Sequence, residues 1–251
     1  MGLDMNIYKR THIGGYSGKK GDIIFVDENG EEHKVEQGRY GATIEKDVAY
    51  WRKANQIHNW FVENKGGGVD ECQDIYCEID DLKNLLELCK EVKNKAKLGR
   101  GLVAGGSIGG GRENHKVMLV KPNHKDIAQI TKFEVVKSIN SDELKEGDWY
   151  IDLEDGSPAF TNDKTNYGLK TSDGWTQLYI FGKTITNAEE IAELLPTQGG
   201  FFFGSTDYDE WYLDDIDNTI EQLENIIADY DADVESGINS YDIDYVYRAS
   251  W

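Results

Sequence analysis

The chain is poor in cysteine, in long apolar runs and in positive charge. It has three cysteines in 251 residues, Cys72, Cys77 and Cys89. An odd, unevenly spaced set supplies no disulfide framework and suits a reducing cytoplasm. No pair has Cys-x-x-Cys spacing and no histidine adjoins one, which argues against zinc. No stretch approaches the ~18 consecutive apolar residues of a membrane-spanning helix. The opening Met-Gly-Leu-Asp-Met-Asn-Ile-Tyr lacks the basic-then-apolar order of a secretory signal. Lys and Arg total 27 against 47 Asp and Glu, a formal net charge of −20. That balance excludes direct, sequence-independent binding of nucleic acid and attachment to an anionic membrane, since both need basic patches. The expected location is the cytoplasm.

What is present is enough for a packed core. Apolar residues make up 39% and aromatics 11%, which separates the chain from disordered compositions. The charge is concentrated. Residues 184–247 hold 17 acidic residues and no Lys or Arg, leaving 30 acids against 27 bases elsewhere. Such a segment reads as a solvated helix face, a cation site, or a surface imitating the phosphate backbone of DNA.

Periodicity places the elements. Leu3 to Tyr8 reads as a strand, and Asp22 to Val35 as a hairpin around Asn29-Gly30. A helix is predicted from Thr43 or Glu45 to about Asn64, ended by Gly66-Gly67-Gly68. Ile75 to Ile79 reads as a strand. Asp80 then caps a helix with Leu82, Leu85, Leu86, Cys89 and Val92 at helical spacing. Lys97 to Arg112 has seven glycines, too many for a helix or strand interior, and reads as a flexible boundary. Strand-like runs follow at Val117–Val120, Phe133–Val136, Trp149–Leu153 and Trp175–Phe181, with turns such as Asp155-Gly156-Ser157-Pro158 between. Asn187 to Leu195 is a short helix stopped by Pro196. A long amphipathic helix carries Leu213, Ile216, Ile220, Leu223, Ile227 and Tyr230 on one stripe, and Tyr241 to Arg248 alternates like a final strand.

Two segments draw attention as sites. On the predicted helix, Val48, Trp51, Asn55, His58 and Val62 share a face, so two polar groups lie in an apolar stripe. Either Asn55 and His58 tie the helix to neighbouring backbone, or the face walls a pocket. In the pocket reading Trp51 or Trp60 stacks a ring, Asn55 reads its edge, and Arg52, Lys53 and His58 meet phosphate or ribose. The second segment is Thr197-Gln-Gly-Gly-Phe-Phe-Phe-Gly-Ser-Thr-Asp-Tyr-Asp-Glu210. Its Phe residues would alternate across a strand, burying both faces. Ser205, Thr206 or Asp207 would cap the long helix, or the Gly-Ser-Thr turn would hold an anion with backbone N–H groups. Thr197 and Gln198, after the proline, are free to reach a ligand, and Tyr208 could stack a base.

Other motifs fail. Gly99-Arg-Gly101-Leu-Val-Ala104 lacks the strand and helix of a dinucleotide site, and Gly105 to Arg112 lacks the ending of a P-loop. Asp229, Asp231, Asp233 and Glu235 imitate an EF-hand, but Val234 and Ser240 stand where glycine and glutamate are required. No cofactor and no metal site is expected.

Three segments together, Met1-Gly-Leu-Asp-Met5, Trp51-Arg-Lys-Ala-Asn-Gln-Ile-His-Asn-Trp-Phe61 and Leu195 to Tyr212, carry a resemblance. The chain resembles a family of small proteins carried by bacteriophages and prophages, whose function is unknown and some of which bear the label phosphoglycerate kinase. Nothing in this sequence supports that kinase. The likeness covers residues 1 to about 96 and about 184 to 251. What it implies is a viral accessory protein in the bacterial cytoplasm, a class that often counters host defence by sequestering nucleotide-derived signals.

The fold class expected is α+β. A mixed core is built from 1–97 and 184–251, with a β-rich insertion over 98–183. The function expected is non-catalytic binding of a small nucleotide-like immune signal, an anti-defence sponge. Its ligand-binding residues would be Trp51, Arg52, Asn55, His58, Trp60, Thr197, Gln198, Phe202, Ser205, Thr206 and Tyr208. One alternative is an acidic inhibitor or DNA mimic that binds a host defence protein through Asp214, Asp215 and Asp217. Another is a small hydrolase pairing His58 with a carboxylate such as Asp209. A homo-oligomer is compatible with each.

Overall fold

The computed structural model describes residues 2–13, 23–35, 41–109, 116–140, 143–154, 157–158, 167–172 and 175–251. Its elements begin with β1 (Asp4–Ile13), β2 (Ile23–Val26), β3 (Glu32–Val35), β4 (Ala42–Arg52), α1 (Asn55–Asn64), β5 (Ile75–Cys77) and α2 (Ile79–Lys95). Next come β6 (Leu98–Gly109), β7 (Lys116–Pro122), β8 (Phe133–Asn140), β9 (Trp149–Glu154), β10 (Ser157–Pro158), β11 (Tyr167–Lys170) and β12 (Trp175–Ile185). The chain closes with α3 (Ala188–Leu194), α4 (Glu210–Glu235) and β13 (Ile243–Ser250). The fold is α+β, and every strand pair is antiparallel. The chain divides into two compact units. One comprises Met1–Asn94, Ala192–Thr206 and Asp215–Trp251, and the other Lys95–Ile191 and Asp207–Asp214. Among the described residues no helix is long and apolar enough to cross a membrane.

The first unit is built on a four-stranded sheet in the order β4-β1-β13-β5. Strand β1 alternates strictly: Met5, Ile7 and Lys9 are buried, while Asn6, Tyr8 and Arg10 face outward. Helices cover the buried face. The Phe61 ring of α1 stacks on Tyr247 of β13 at 4.0 Å and 10°. The Trp51 indole of β4 donates to Thr219 Oγ1 of α4 at 2.9 Å. Arg10 and Arg248 share Glu45 and Asp74 on the outer face, at N–O distances of 2.6–3.3 Å. Both carboxyls are held below the usual carboxylate range, Glu45 first by Arg10 and Asp74 first by Arg248.

Lys9 is the exception on the buried face. It is 6% exposed, and its ammonium lies 2.7 Å from Asp229 and also pairs with Asp233, one turn further along α4. Burial works against its charge, but the hydrogen bonds to both carboxylates outweigh it and the net shift is upward. The EF-hand-like run is therefore helix, and two of its acids hold a lysine of β1.

The second unit is built on a seven-stranded sheet, β6-β12-β11-β9-β7-β8, with β10 paired to β9. Leu102, Val120, Ile130 and Tyr167 form one cluster, backed by Phe133, Trp149 and Phe181. Val117, Ile139 and Tyr150 form another. Among the residues of the first unit, a separate two-stranded sheet, β2-β3, turns at Gly30 with φ +80°.

Three local expectations are corrected. Residues 42–52 are strand, not helix: Thr43, Ile44, Val48, Tyr50 and Trp51 favour a pleated surface, and the helix starts only after a corner at Lys53, φ +63°. The glycine-rich run is strand as far as Gly109, paired along the length of β12; Gly110–Arg112 lie outside the described residues, as does Asp155-Gly156. Gly99 leaves room for a neighbouring side chain, since a Cβ there would meet Thr186 at 2.4 Å, and on the partner strand β12 a Cβ at Gly182 would meet Val103 at 2.6 Å. On α4 the buried stripe is Tyr212, Ile216, Thr219, Leu223 and Ile226, which leaves the expected Leu213, Ile220, Ile227 and Tyr230 at its margin.

Lys9→Met leaves two carboxylates one turn apart without their cation. It should cost the first unit about 2 kcal/mol at neutral pH, below the full cost of breaking a buried pair because Asp229 is partly exposed. Asp229 is held below the ordinary aspartate value of 3.8, so its contribution is present above that pH and lost as pH falls through its lowered folded value. Urea denaturation should show the deficit at pH 7 and its disappearance in acid; equal stability at pH 7 would contradict the assignment.

Candidate functional site

The site begins at the corner between β4 and α1. Lys53 N–H donates to Leu3 carbonyl at 2.8 Å, and Leu3 N–H to Phe202 carbonyl at 3.1 Å. Asn55, 2% exposed, completes the joint. Its Nδ2 donates to the carbonyls of Phe203 at 3.1 Å and Ser205 at 2.7 Å, and its Oδ1 accepts from Gln198 N–H at 3.0 Å. Three of the four hydrogen bonds an amide side chain can make thus go to one loop. Across the loop, Thr197 Oγ1 donates to Thr206 carbonyl at 3.2 Å.

The loop sequence fits this geometry. Gly204 has φ +91°, and a Cβ there would lie 3.2 Å from Lys53 Cβ, so glycine is needed for conformation and for approach. At Gly200 a Cβ would meet the Phe203 ring at 2.7 Å. The three phenylalanines do not form an alternating strand. They form a turn closed by Phe203 N–H to Gly200 carbonyl at 3.2 Å, with Phe203 buried and Phe201 96% exposed.

His58 lies beneath the loop, 1% exposed. Its Nε2 is 3.1 Å from Asp70 Oδ2 and its Nδ1 is 2.6 Å from the Tyr247 hydroxyl. A carboxylate only accepts, which assigns a ring proton to Nε2; in the neutral ring Nδ1 is then the acceptor of the Tyr247 O–H. Phe203 and Trp251 meet the imidazole edge-on at 5.1 and 5.6 Å. Burial holds the Tyr247 phenol well above its usual range, with Asp70 adding to the effect. The partners that fix His58, namely Asp70, Tyr247 and Trp251, carried no motif in the sequence. Asp70 lies twelve residues after His58 with no motif linking them, and only the folded register brings Tyr247 over.

Other expected site residues are placed as follows. Trp51 is 1% exposed with its indole N–H bonded inside the first unit, so it offers no face for stacking. Asn55 and His58 are likewise spent on the protein itself. Thr197 and Gln198 are bound into the loop rather than free. Gln198 Oε1 is a buried acceptor without a partner among the described residues. Trp60 is half-buried, edge-on to Phe61 at 5.1 Å, and Phe202 is half-buried beside Phe201 at 4.9 Å. Arg52, Lys53, Ser205 and Thr206 are exposed. Tyr208 belongs to the second unit, where its carbonyl accepts from Ile185 N–H and Thr184 Oγ1.

The helix cap is Asp209, not Ser205, Thr206 or Asp207. Its Oδ1 accepts from Trp211 and Tyr212 N–H at 2.9 and 3.1 Å. Burial raises its pKa against those bonds. Asp209 thus has a capping role, and the carboxylate on His58 is Asp70. Of the acids expected to face a host protein, Asp217 pairs with Lys93 at 2.7 Å and Asp215 accepts from Gln56 at 3.2 Å. Asp214 is exposed. Cys77 and Cys89 are buried, which pushes both thiols up to about 12 and leaves them inert near neutral pH.

Exposed cations therefore meet a rigid turn at one corner. A Cβ on Gly2 would lie 3.3 Å from Lys53 Cε and 3.6 Å from Arg52 Nη2, so both side chains run past the same backbone. Among the described residues the Lys53 ammonium has no ion-pair partner. Arg52 lies by the Tyr50 hydroxyl, which donates to Asp4 at 2.6 Å, so part of its charge is offset.

Tyr247→Phe removes one hydroxyl and leaves His58 Nδ1 a buried acceptor without a donor. The expected loss is about 1–3 kcal/mol in urea denaturation; unchanged stability would contradict a buried hydrogen bond between His58 and Tyr247. Compared with protein-family models, curated proteins and solved structures, the chain finds no match.

Proposed function

We propose that this chain is a non-catalytic binding protein that captures a small, anionic, nucleotide-like ligand at the corner of Arg52, Lys53 and the Gly204–Thr206 turn. The observation that carries the reading is the Asn55 joint. It fixes the turn beside Lys53 and leaves Arg52, Lys53, Ser205 and Thr206 exposed together. Cations held at a rigid backbone turn suit phosphate groups. Phe201, 96% exposed, and Phe202 beside it offer ring faces for a base. Trp51, Asn55 and His58 act as scaffold for this surface.

The resemblance to phage and prophage proteins supplies the context: an accessory protein in the bacterial cytoplasm that removes a nucleotide-derived immune signal. The Gly204–Thr206 turn lies within the acidic quarter, and Arg52 and Lys53 bring the positive charge to it from outside that quarter. A second reading draws on exposed carboxylates of α4 such as Glu221: an acidic surface covering a host defence protein.

Calorimetry against cyclic dinucleotides and ADP-ribose derivatives tests the proposal. Binding to at least one member is expected, and Arg52→Glu with Lys53→Glu should weaken it about tenfold or more. Reversal at Asp214 and Glu221 should leave it unchanged. Absence of binding across the panel would overturn the reading, as would binding indifferent to the Arg52/Lys53 pair.

A further inference from the structure

We propose that the edge strand β8 pairs with β8 of a second copy of this chain, forming a twofold-symmetric dimer through the seven-stranded sheet. The inference is independent of the ligand reading above. It starts from position: β8 ends the strand order, hydrogen-bonded to β7 on one side and, among the described residues, to no strand on the other. Every residue from Glu134 to Ser138 is exposed, with Val135 at 54% and Val136 at 55%. Two adjacent valines on an unpaired edge form a template for another strand.

The register then selects the partner. Lys121 pairs with Glu134, Val120 with Val135 and Leu119 with Lys137, so Val136 is an inserted residue. Leu119 and Lys121 share a face of β7, two residues apart. Glu134 and Lys137 therefore also share a face, although three residues separate them. In a regular strand they would lie on opposite faces. An antiparallel copy with the twofold axis between Val135 and Val136 sets Glu134 opposite the second copy's Lys137, and Lys137 opposite its Glu134. One step inward, Val135 meets the second copy's Val136. The edge thus complements itself twice over, in charge and in apolar contact, as a closed twofold interface requires. Neither charge has an ion-pair partner among the described residues.

The edge of the other sheet shows what a protected strand looks like. On β4, Tyr50 N–H donates to Gln222 Oε1 at 2.7 Å, and Gln222 Nε2 donates back to Tyr50 carbonyl at 3.1 Å. A side-chain amide of α4 fills the place of a neighbouring strand. A β4 twofold centred on Lys46 would also oppose Glu45 to Asp47, two carboxylates. Among the described residues strand β8 has neither safeguard.

Sedimentation of the full chain from micromolar to millimolar concentration tests the proposal. In ~0.15 M salt, repulsion between the net-negative copies is screened beyond about 8 Å. A reversible equilibrium between 28.4 kDa and twice that mass is expected. Glu134→Lys alone and Lys137→Glu alone each oppose like charges at both contacts and should weaken association about tenfold. The double exchange Glu134→Lys with Lys137→Glu should restore it. A single 28.4 kDa species at every concentration would overturn the proposal. So would association that the single exchanges do not weaken or the double does not rescue, which would place the contact on another surface.

Discussion

One buried amide holds the candidate site together. Asn55 sits at the first position of α1, where the chain has just left β4 through a left-handed corner at Lys53. An apolar residue there would leave two loop carbonyls and one loop N–H without partners, each at the cost of a lost buried hydrogen bond. With the amide in place, a glycine-rich loop more than 140 residues away in sequence becomes part of the α1 surface. The placement of Gly204 against Lys53, the burial of Phe203 and the exposure of Phe201 all follow from that attachment. His58, one turn later, takes up the underside of the same loop through Phe203, and Trp251 closes on both rings.

Charge is distributed by similar economy of partners. The acidic quarter of the sequence becomes α4 and the segments around it, and several of its carboxylates are neutralised by lysines of the first unit. Lys9 takes Asp229 and Asp233, Lys90 takes Glu224 and Lys93 takes Asp217. The last two pairs are exposed and contribute little stability. The Lys9 cluster is different in kind, because a buried cation without its carboxylates is costly. Part of the acidic charge therefore serves as internal counter-charge, and exposed acids remain on both α3 and α4.

Much of this was legible in the sequence where one physical signal acted alone. The buried stripe of α2, Leu82, Leu85, Leu86, Cys89 and Val92, is the stripe its spacing predicts. The Asn29-Gly30 hairpin and the runs of β7, β8, β9 and β12 are also where alternation and turn residues place them. Two signals conflicted elsewhere. Residues 43–52 satisfy helical spacing by coincidence while their side chains favour strand, and tertiary pairing with β1 decides. In β6 Gly99 makes room for Thr186, a packing demand that single-chain patterns do not show. The polar pair in the α1 stripe was readable as a choice between scaffold and pocket wall. The geometry places Asn55 and His58 in the scaffold, while Asp70, Tyr247 and Trp251 are joined to them only by sheet register and chain closure.

The account rests on Asn55 fixing the 197–206 loop, and amide hydrogen exchange at Gln198 measures this directly. In the unaltered chain the Gln198 N–H should be strongly protected, since Asn55 Oδ1 accepts it at 3.0 Å. In Asn55→Ala that protection and the protection of the loop should be lost, while the amides shared by β1 and β13 stay protected. A Gln198 amide that exchanges freely in the unaltered chain, or a loop as protected in Asn55→Ala as before, would contradict it.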